Sequence, residues 1–168
     1  MKKARSKVLG ESVEELVLEA VPQLQPAEVP MDWDGAVDDY WYDCTPSVAV
    51  FASEVLPMLG ILAIEPGTPG EIKAARVTIS DGTESRTGRF YIRRQQHERL
   101  VARDGVYIFA IYRAADNELL GLLATLAVIV EEELRETWYD AGPGREDYYQ
   151  LSASRLPIDG LGGECGAE

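Results

Sequence analysis

The sequence predicts an α/β fold in which a mixed central β-sheet lies between layers of helices, a three-layer sandwich. Three observations support this class. The chain has 168 residues, which suits one domain, and 46% of them are apolar, which is enough to fill a core. Apolar segments of strand length alternate with segments of helical period. The most apolar segment, residues 106–113, is typical of a central strand buried on both faces.

The first half of the chain is predicted to run helix, strand, helix, strand. Residues 11–24 carry an apolar stripe at helical spacing and begin with an S-x-x-E capping box. The aromatic-rich segment 39–44 is typical of a short strand. Residues 47–59 are expected to be helical, because a Thr-Pro pair precedes them and a glycine follows. Residues 61–65 then form a strand.

The second half is predicted to contain the rest of the sheet. A strand at 71–80 leads through an Asp-Gly turn into a returning strand at 88–93. A short helix at 94–103 precedes the central strand. The remaining elements are a segment at 118–124 that is either strand or helix, a helix at 127–139 and a last strand at 148–154.

One domain, residues 11–157, is expected between two tails. Residues 1–10 are basic, and residues 158–168 are rich in glycine and expected to be flexible. No apolar run is long enough to cross a bilayer, and the N-terminus does not resemble a signal peptide. The two cysteines form no CxxC pair, which argues against a disulfide framework and a cysteine zinc site. We therefore expect a cytoplasmic protein.

The charge is large and unevenly placed. A net charge of −13 first suggests a protein that repels nucleic acid. Between residues 72 and 103, however, eight basic residues stand against three acids, so this segment carries +5 and the rest of the chain −18. An arginine-rich strip on an acidic body is the footprint expected where a polyanion binds. The candidate DNA contacts are Arg76, Arg86, Arg89, Arg93, Arg94 and His97, although a structural role is the alternative for this only histidine.

The basic residues are mostly arginine. Only four of the 16 are lysines, and Lys73 is the one lysine past residue 7. Acid-rich, lysine-poor composition resembles that of proteins from salt-in halophiles, in which carboxylates keep the surface hydrated. An ordinary acidic cytosolic protein is the alternative.

Glu71 and Lys73 carry the strongest chemical signal. They lie two residues apart on a predicted strand, so their side chains share one face. A surface ion pair is the alternative for such an E-x-K triplet, but Asp43 offers a second acid on an upstream strand. Two acidic oxygens, often with a strand carbonyl, hold Mg²⁺, which activates water for phosphodiester cleavage. A nearby lysine orients or deprotonates that water.

These residues resemble the motif of the PD-(D/E)xK nucleases, a superfamily that includes restriction enzymes, archaeal Holliday-junction resolvases and RecB-type nuclease domains. The resemblance covers about residues 11–113. It implies a restriction-endonuclease-like sandwich, metal ligands at Asp43 and Glu71, and a base or water-positioning role for Lys73. It also implies Mg²⁺ as the cofactor, with Mn²⁺ as a substitute, and DNA as the partner.

The same resemblance implies two further catalytic residues. A glutamate from the first helix often joins such a site, and Glu15 or Glu14 is the candidate here. RecB-like members place a glutamine on the helix after the third core strand, which Gln96 matches in a Q-x-x-x-L pattern. A homodimer is implied as well, because two strands must be cut.

The match departs from the family pattern around Asp43. Tyr42 stands where the family has proline, and a predicted helix and strand separate Asp43 from Glu71 where the family has a simple hairpin. The alternative second ligands are Asp38, Asp39 and Glu65.

Three functions follow, of which the first is preferred. The first is a Mg²⁺-dependent DNA endonuclease, and the second is a nucleic-acid-binding protein with weak or no catalysis on the same scaffold. The third is an acidic protein–protein interaction module in which the arginines meet an acidic partner. DNA and RNA are not distinguished by the sequence. Tyr40, Trp41 and Tyr42 either pack a strand or stack on bases.

Overall fold

The computed structural model describes residues 12–27, 41–80 and 85–158. These ranges contain helix α1 at residues 12–20, helix α2 at Arg94–Ala102 and helix α3 at Ala127–Leu134. None of the described helices is long and apolar enough to cross a membrane. The predicted basic tail, and all of the glycine-rich tail except its first residue, lie outside the described ranges.

Twelve strands lie in the same ranges. They are β1 (Leu24–Pro26), β2 (Cys44–Pro46), β3 (Val50–Phe51), β4 (Met58–Leu59), β5 (Ala63–Ile64), β6 (Gly70–Arg76), β7 (Thr78–Ser80), β8 (Ser85–Thr87), β9 (Arg89–Arg93), β10 (Val106–Arg113), β11 (Glu118–Leu126) and β12 (Tyr148–Ser152).

Six of these strands form a mixed central sheet in the order β1-β2-β6-β10-β11-β4. β6 and β10 run parallel, with Glu71 opposite Tyr107 and Lys73 opposite Phe109, while β10 and β11 run antiparallel. Seven of the eight residues of β10 are buried, because the strand lies inside the sheet and both faces are covered. The predicted central strand is confirmed, and the ambiguous segment after it is a strand.

Helices cover both faces of this sheet. On one face α1 packs through Val13 and Val17 in a cluster that includes Ile72. On the other face Leu100 of α2 and Val130 of α3 lie in a second cluster, which contains the alternate residues of β10. The predicted three-layer α/β sandwich is confirmed. Because successive strand residues point to opposite faces, Ile72 faces α1 while Glu71 and Lys73 face the layer of α2.

The predicted helix at residues 47–59 is wrong. This segment holds the short strands β3 and β4 joined by bends, and β3 pairs with β5 instead of continuing as a helix. Pro57 has no N–H for a helical hydrogen bond and disfavours helical geometry at Leu56. Leu56 is buried in the α1-side core, so tertiary burial sets the path of this segment.

Several predicted boundaries also move. The first helix ends at residue 20 and not 24, since Pro22 follows and Leu24 starts β1. The strand expected at 39–44 begins at Cys44, with residues 28–40 outside the described ranges. The helix expected to reach residue 139 ends at Leu134, because the next two residues adopt positive φ angles.

The strand after the hairpin has a different partner from the one expected. β7 and β8 form the hairpin around the predicted turn, whose residues 81–84 are not described, and β9 pairs with β12 instead of returning along β6. Gly88 permits β9 to leave β8 close to β6, because a Cβ there would lie 2.1 Å from the Arg76 carbonyl oxygen. β9 runs directly into α2, which brings that helix beside β6.

Candidate active site

Four polar side chains meet where β6 passes the end of β2 and the first turn of α2. They belong to Asp43, Glu71, Lys73 and Gln96. Glu71 is 4% exposed and Gln96 8%, so both lie inside the protein. Buried polar side chains of this kind require partners, because an unpaired polar group costs free energy when it leaves water.

Lys73 is held by two of these residues. Its Nζ donates to Glu71 Oε1 at 2.9 Å and to Gln96 Oε1 at 2.9 Å. The Gln96 side chain is fixed in turn, since its Nε2 donates to the Trp41 carbonyl oxygen at 3.4 Å. A lysine ammonium carries three donors, so one remains for a ligand after the two contacts found among the described residues.

Asp43 reaches the same place through the backbone of β6. Its Oδ2 accepts the Ile72 N–H at 2.8 Å, and its own N–H donates to the Gly70 carbonyl oxygen at 3.0 Å. Cys44, the next residue, pairs with Gly70 as β2 meets β6. Strand pairing therefore brings Asp43 beside Glu71 although the whole β3–β5 excursion separates them in sequence.

The two carboxyl groups influence each other electrostatically. Burial raises the pKa of Glu71 to about 7, Lys73 lowers it, and the Asp43 carboxylate raises it. Burial also raises the pKa of Asp43, against the lowering effects of the Ile72 N–H and Lys73. Two carboxylates beside one ammonium leave a net negative charge when both are ionised, which favours a bound cation.

The pair also meets a geometric condition for a hard cation. Glu71 Oε2 is buried and accepts no hydrogen bond within the described ranges. A buried oxygen without a donor is costly, and a cation satisfies it. No group of three His, Cys, Asp or Glu residues in those ranges is placed to hold a metal. Two carboxylates can hold a hard ion such as Mg²⁺ when that ion keeps several of its waters.

The glutamates of α1 take different positions. Glu15, the first-choice catalytic residue of the sequence analysis, is exposed and makes no hydrogen bond or ion pair with other residues of the described chain. Glu14 is half-buried, and its charge, with those of Asp43 and Glu71, adds to burial in raising the pKa of Cys44 to about 12. Neighbours on a helix point about 100° apart, and Glu14 is the one of the two whose charge reaches Cys44, next to Asp43.

His97 does not contact DNA from its position in this structure, which corrects that expectation. The side chain is fully buried, and its Nδ1 lies 2.9 Å from the Tyr107 hydroxyl while the two rings stack. Burial lowers the pKa of His97 to about 4, so the ring is neutral at neutral pH. A buried, neutral ring offers nothing to a phosphate, and the structural alternative describes it better.

The arginines of the basic strip fall into separate groups. Arg93 and Arg99 line a cleft beside Gln96. Arg76 and Arg89 are exposed, and Gly88, which precedes Arg89, approaches the Arg76 backbone. Arg86 belongs to β8, but its side chain is not described.

Two further members of the strip are engaged with acids or lie elsewhere. Arg94 is tied to Glu98 at 3.0 Å and to Asp147 at 3.3 Å. Arg103 lines a different cleft together with Glu65, next to the start of β6. The continuous strip predicted from the sequence is therefore divided in space.

The alternative second ligands are also accounted for. Asp38 and Asp39 lie outside the described residues. Glu65 is exposed, and its cleft contains none of the four clustered residues. Asp43 is the described candidate that the fold brings to Glu71.

Sequence reasoning missed Tyr107 and Glu146. Tyr107 faces Glu71 across the parallel pair β6–β10. Burial raises the pKa of the Tyr107 hydroxyl, and the charge of Glu71 raises it further. Glu146 Oε1 accepts the Gln95 N–H at 2.8 Å at the start of α2. Tyr107 could have been found by pairing the predicted strand of Glu71 and Lys73 with the predicted central strand. No local pattern marks Glu146.

One comparison with known proteins identifies the family. A family model described as the PD-(D/E)XK nuclease superfamily domain matches residues 1–157. No curated protein matches the chain, and no solved structure does. The match covers most of the chain and spans β6 with its Glu71–Lys73 pair. The chain therefore belongs to the PD-(D/E)XK nuclease superfamily.

Proposed function

We propose that this protein is a metal-dependent endonuclease that hydrolyses DNA phosphodiester bonds, with Mg²⁺ as its ion and Mn²⁺ as a substitute. Membership of a nuclease superfamily supports the reaction class. The observation that carries the proposal is the carboxyl pair of half-buried Asp43 and buried Glu71, with Lys73 Nζ at 2.9 Å from Glu71. These are the acidic and basic groups that phosphodiester hydrolysis requires.

Asp43 and Glu71 are the residues that would hold the ion. Glu71 Oε2 is the buried oxygen without a donor, and Asp43 keeps one carboxylate oxygen beyond the one that accepts the Ile72 N–H. When bound, Mg²⁺ lowers the pKa of a water ligand and offsets charge on the phosphate.

Lys73 is the proposed proton-handling group. Its ammonium is fixed on two sides and retains one donor, which stabilises negative charge as it develops on a phosphate oxygen or orients the attacking water. Gln96 holds Lys73 in place and is itself anchored to the Trp41 carbonyl. Glu14 replaces Glu15 as the proposed contribution from α1, since its charge acts on Cys44, next to Asp43.

The exposed arginines are the proposed contacts to the nucleic-acid backbone. Arg93 lines the cleft beside Gln96, Arg76 and Arg89 are exposed on β6 and β9, and Arg86 follows by its position in β8. Arg94 joins them if a phosphate displaces its surface ion pairs, which are weak because they are exposed. Phosphate contacts of this kind supply affinity without reading sequence.

The proposal also covers the oligomeric state, the cellular location and the salt conditions in which the protein works. One nuclease domain at residues 11–157, working as a cytoplasmic homodimer, would place two sites on a double-stranded substrate. The charge of −13 with only four lysines supports function at high salt. Several arginine contacts would then be needed, because salt screens each one.

Cleavage assays test the function. The purified protein is incubated with plasmid and branched DNA at low and high salt, with Mg²⁺, Mn²⁺ or a chelator. We expect metal-dependent cleavage that falls by about 10²-fold or more in Lys73→Ala. Arg135→Gln, which removes an exposed positive charge at the end of α3, should cleave normally. Absence of cleavage with every metal, or full activity in Lys73→Ala, would contradict the proposal.

A further inference from the structure

A cleft of about 250 Å³ opens beside the candidate active site. The described residues that line it are Trp41, Arg93, Gln95, Gln96, Arg99 and Glu146. Gln96 belongs both to the cleft and to the site, because its Oε1 accepts a hydrogen bond from Lys73 Nζ. A group in the cleft would therefore lie one side chain away from the proposed proton-handling lysine.

The cleft has the size and the wall for a flat group. Pockets for drug-sized ligands measure about 300–1,000 Å³, so this one suits something smaller. Trp41 lines the cleft, and its half-buried side chain packs against the core cluster around Leu100 and edge-on against the Tyr42 ring at 5.5 Å. An indole held by these contacts gives the cleft a flat aromatic wall, and stacking on aromatic side chains is how proteins hold unpaired bases.

The polar groups of the cleft suit a nucleobase joined to a phosphate. The Gln95 side chain makes no hydrogen bond to other described residues, and an amide offers both donors and an acceptor. The Glu146 carboxylate is fixed by the Gln95 N–H and lies 4.0 Å from Arg93 Nη1. Two arginines against one glutamate give the cleft a net positive charge, which favours an anionic strand.

We propose that this cleft binds one unpaired nucleobase of the substrate strand, stacked on Trp41, next to the phosphate that is cleaved. This inference rests on the proposed nuclease function. A base inside a duplex is stacked on both sides and cannot enter such a cleft without being extruded. The substrate class is therefore nucleic acid with an unpaired nucleotide at the cleavage point, such as a single strand, an overhang or a branch.

Binding measurements with the Lys73→Ala protein in chelator test this inference without cleavage. The ligands are a labelled single strand, a strand of the same length with all its bases removed, and the matching blunt duplex. We expect the intact strand to bind about tenfold more tightly than the abasic strand, the range of effect that base stacking produces. The abasic comparison uses one protein, so a folding defect cannot imitate its result.

A second variant locates the effect in the cleft. Adding Trp41→Ala should lower affinity for the intact strand by about tenfold and leave affinity for the abasic strand and duplex unchanged, while Trp41→Phe retains most of the binding. Phe51→Ala, which removes an exposed aromatic ring of β3 away from the cleft, serves as the matched control. Equal affinity for intact and abasic strands would overturn the inference, as would an equal effect of Trp41→Ala on all three ligands.

The outcomes separate this inference from the nuclease function. If the unaltered protein cleaves intact and abasic strands equally well with metal, the cleft assignment alone is overturned. If binding depends on the bases and on Trp41 but the protein cleaves no substrate with any of the metals, the nuclease function is overturned and the binding site is retained.

Discussion

Lys73 Nζ donates to Glu71 Oε1 at 2.9 Å from the same face of β6, and Gln96 of α2 accepts a second bond from that Nζ at the same distance. This contact joins the sheet to the helix layer at the one place where Asp43 also reaches β6. A simple surface ion pair would be exposed, whereas Glu71 is 4% exposed. Because Glu71 is buried and the pair lies beside Asp43, changes in metal, in pH or in its neighbours should alter it measurably.

Divalent metal should stabilise the folded protein through Asp43 and Glu71. A ligand that binds only the native state at about 100 times its Kd adds about 2.7 kcal/mol to the free energy of unfolding. We expect Mg²⁺ or Mn²⁺ to raise the melting temperature of the unaltered protein and to have almost no effect on Glu71→Gln or Asp43→Asn. Glu65→Gln serves as the control and should respond normally. Loss of the response in Glu65→Gln with retention in Asp43→Asn would identify a different ligand.

Without metal, the stability contributions of Glu71 and His97 should oppose each other as pH changes. The pKa of Glu71 rises from 4.5 to about 7 on folding, so its contribution falls as pH rises through that range. The pKa of His97 falls from 6.5 to about 4, so its contribution falls as pH drops through that range. Each effect is on the order of 3 kcal/mol.

In the variant Glu71→Gln, the pH dependence of stability that comes from His97 should therefore be seen without the opposing contribution of Glu71. In chelator, its free energy of unfolding should rise steadily between pH 4 and pH 6.5, where the unaltered protein shows a flatter profile. Urea denaturation at a series of pH values measures both curves, with Glu132→Gln, an exposed glutamate of α3, as the control. Parallel profiles for Glu71→Gln and the unaltered protein would contradict the buried, proton-holding carboxyl.

The neighbouring glutamates of α1 form a matched pair. Glu14 is half-buried and its charge acts on Cys44, next to Asp43, whereas Glu15 is exposed. Residues that support metal ligands typically change affinity or activity by 10–100-fold, so we expect Glu14→Gln to lower cleavage by about tenfold and Glu15→Gln to leave it unchanged. Cleavage rates at fixed Mg²⁺ compare the two. The reverse order of effects would place the other face of α1 at the site.

His97 should matter for stability and not for DNA affinity. His97→Ala leaves a cavity and removes the partner of the Tyr107 hydroxyl, which should cost about 2–4 kcal/mol. Chemical denaturation measures this loss, and equilibrium binding measures the DNA affinity of the remaining folded protein. Weaker DNA binding with unchanged stability would instead support a contact between His97 and a DNA phosphate.

The core of the fold could be predicted because its signals are local. The apolar run at 106–113 and the period-two placement of Glu71 and Lys73 depend only on adjacent residues, and the structure has both strands as parallel neighbours. The proximity of Asp43 to Glu71 was not derivable in this way. It depends on the pairing of Cys44 with Gly70 across an excursion in which residues 47–59 were predicted to be helical.

The errors at individual residues have equally specific causes. His97 was grouped with the arginines by its place in the sequence, yet it lies three residues before Leu100, and both are buried on the same face of α2. That spacing was the signal for a buried side chain. Glu146 lies far from α2 in sequence, so its contact with the Gln95 N–H could emerge only from the folded chain.

A crystal structure with Mn²⁺, located by its anomalous scattering, tests the central assignment most directly. We predict one strong peak between the carboxylates of Asp43 and Glu71, within coordination distance of Glu71 Oε2, with Lys73 still beside Glu71. A peak bound by Glu65 instead, or an Asp43–Glu71 pair left without metal in crystals of protein shown to cleave DNA with Mn²⁺, would contradict the account.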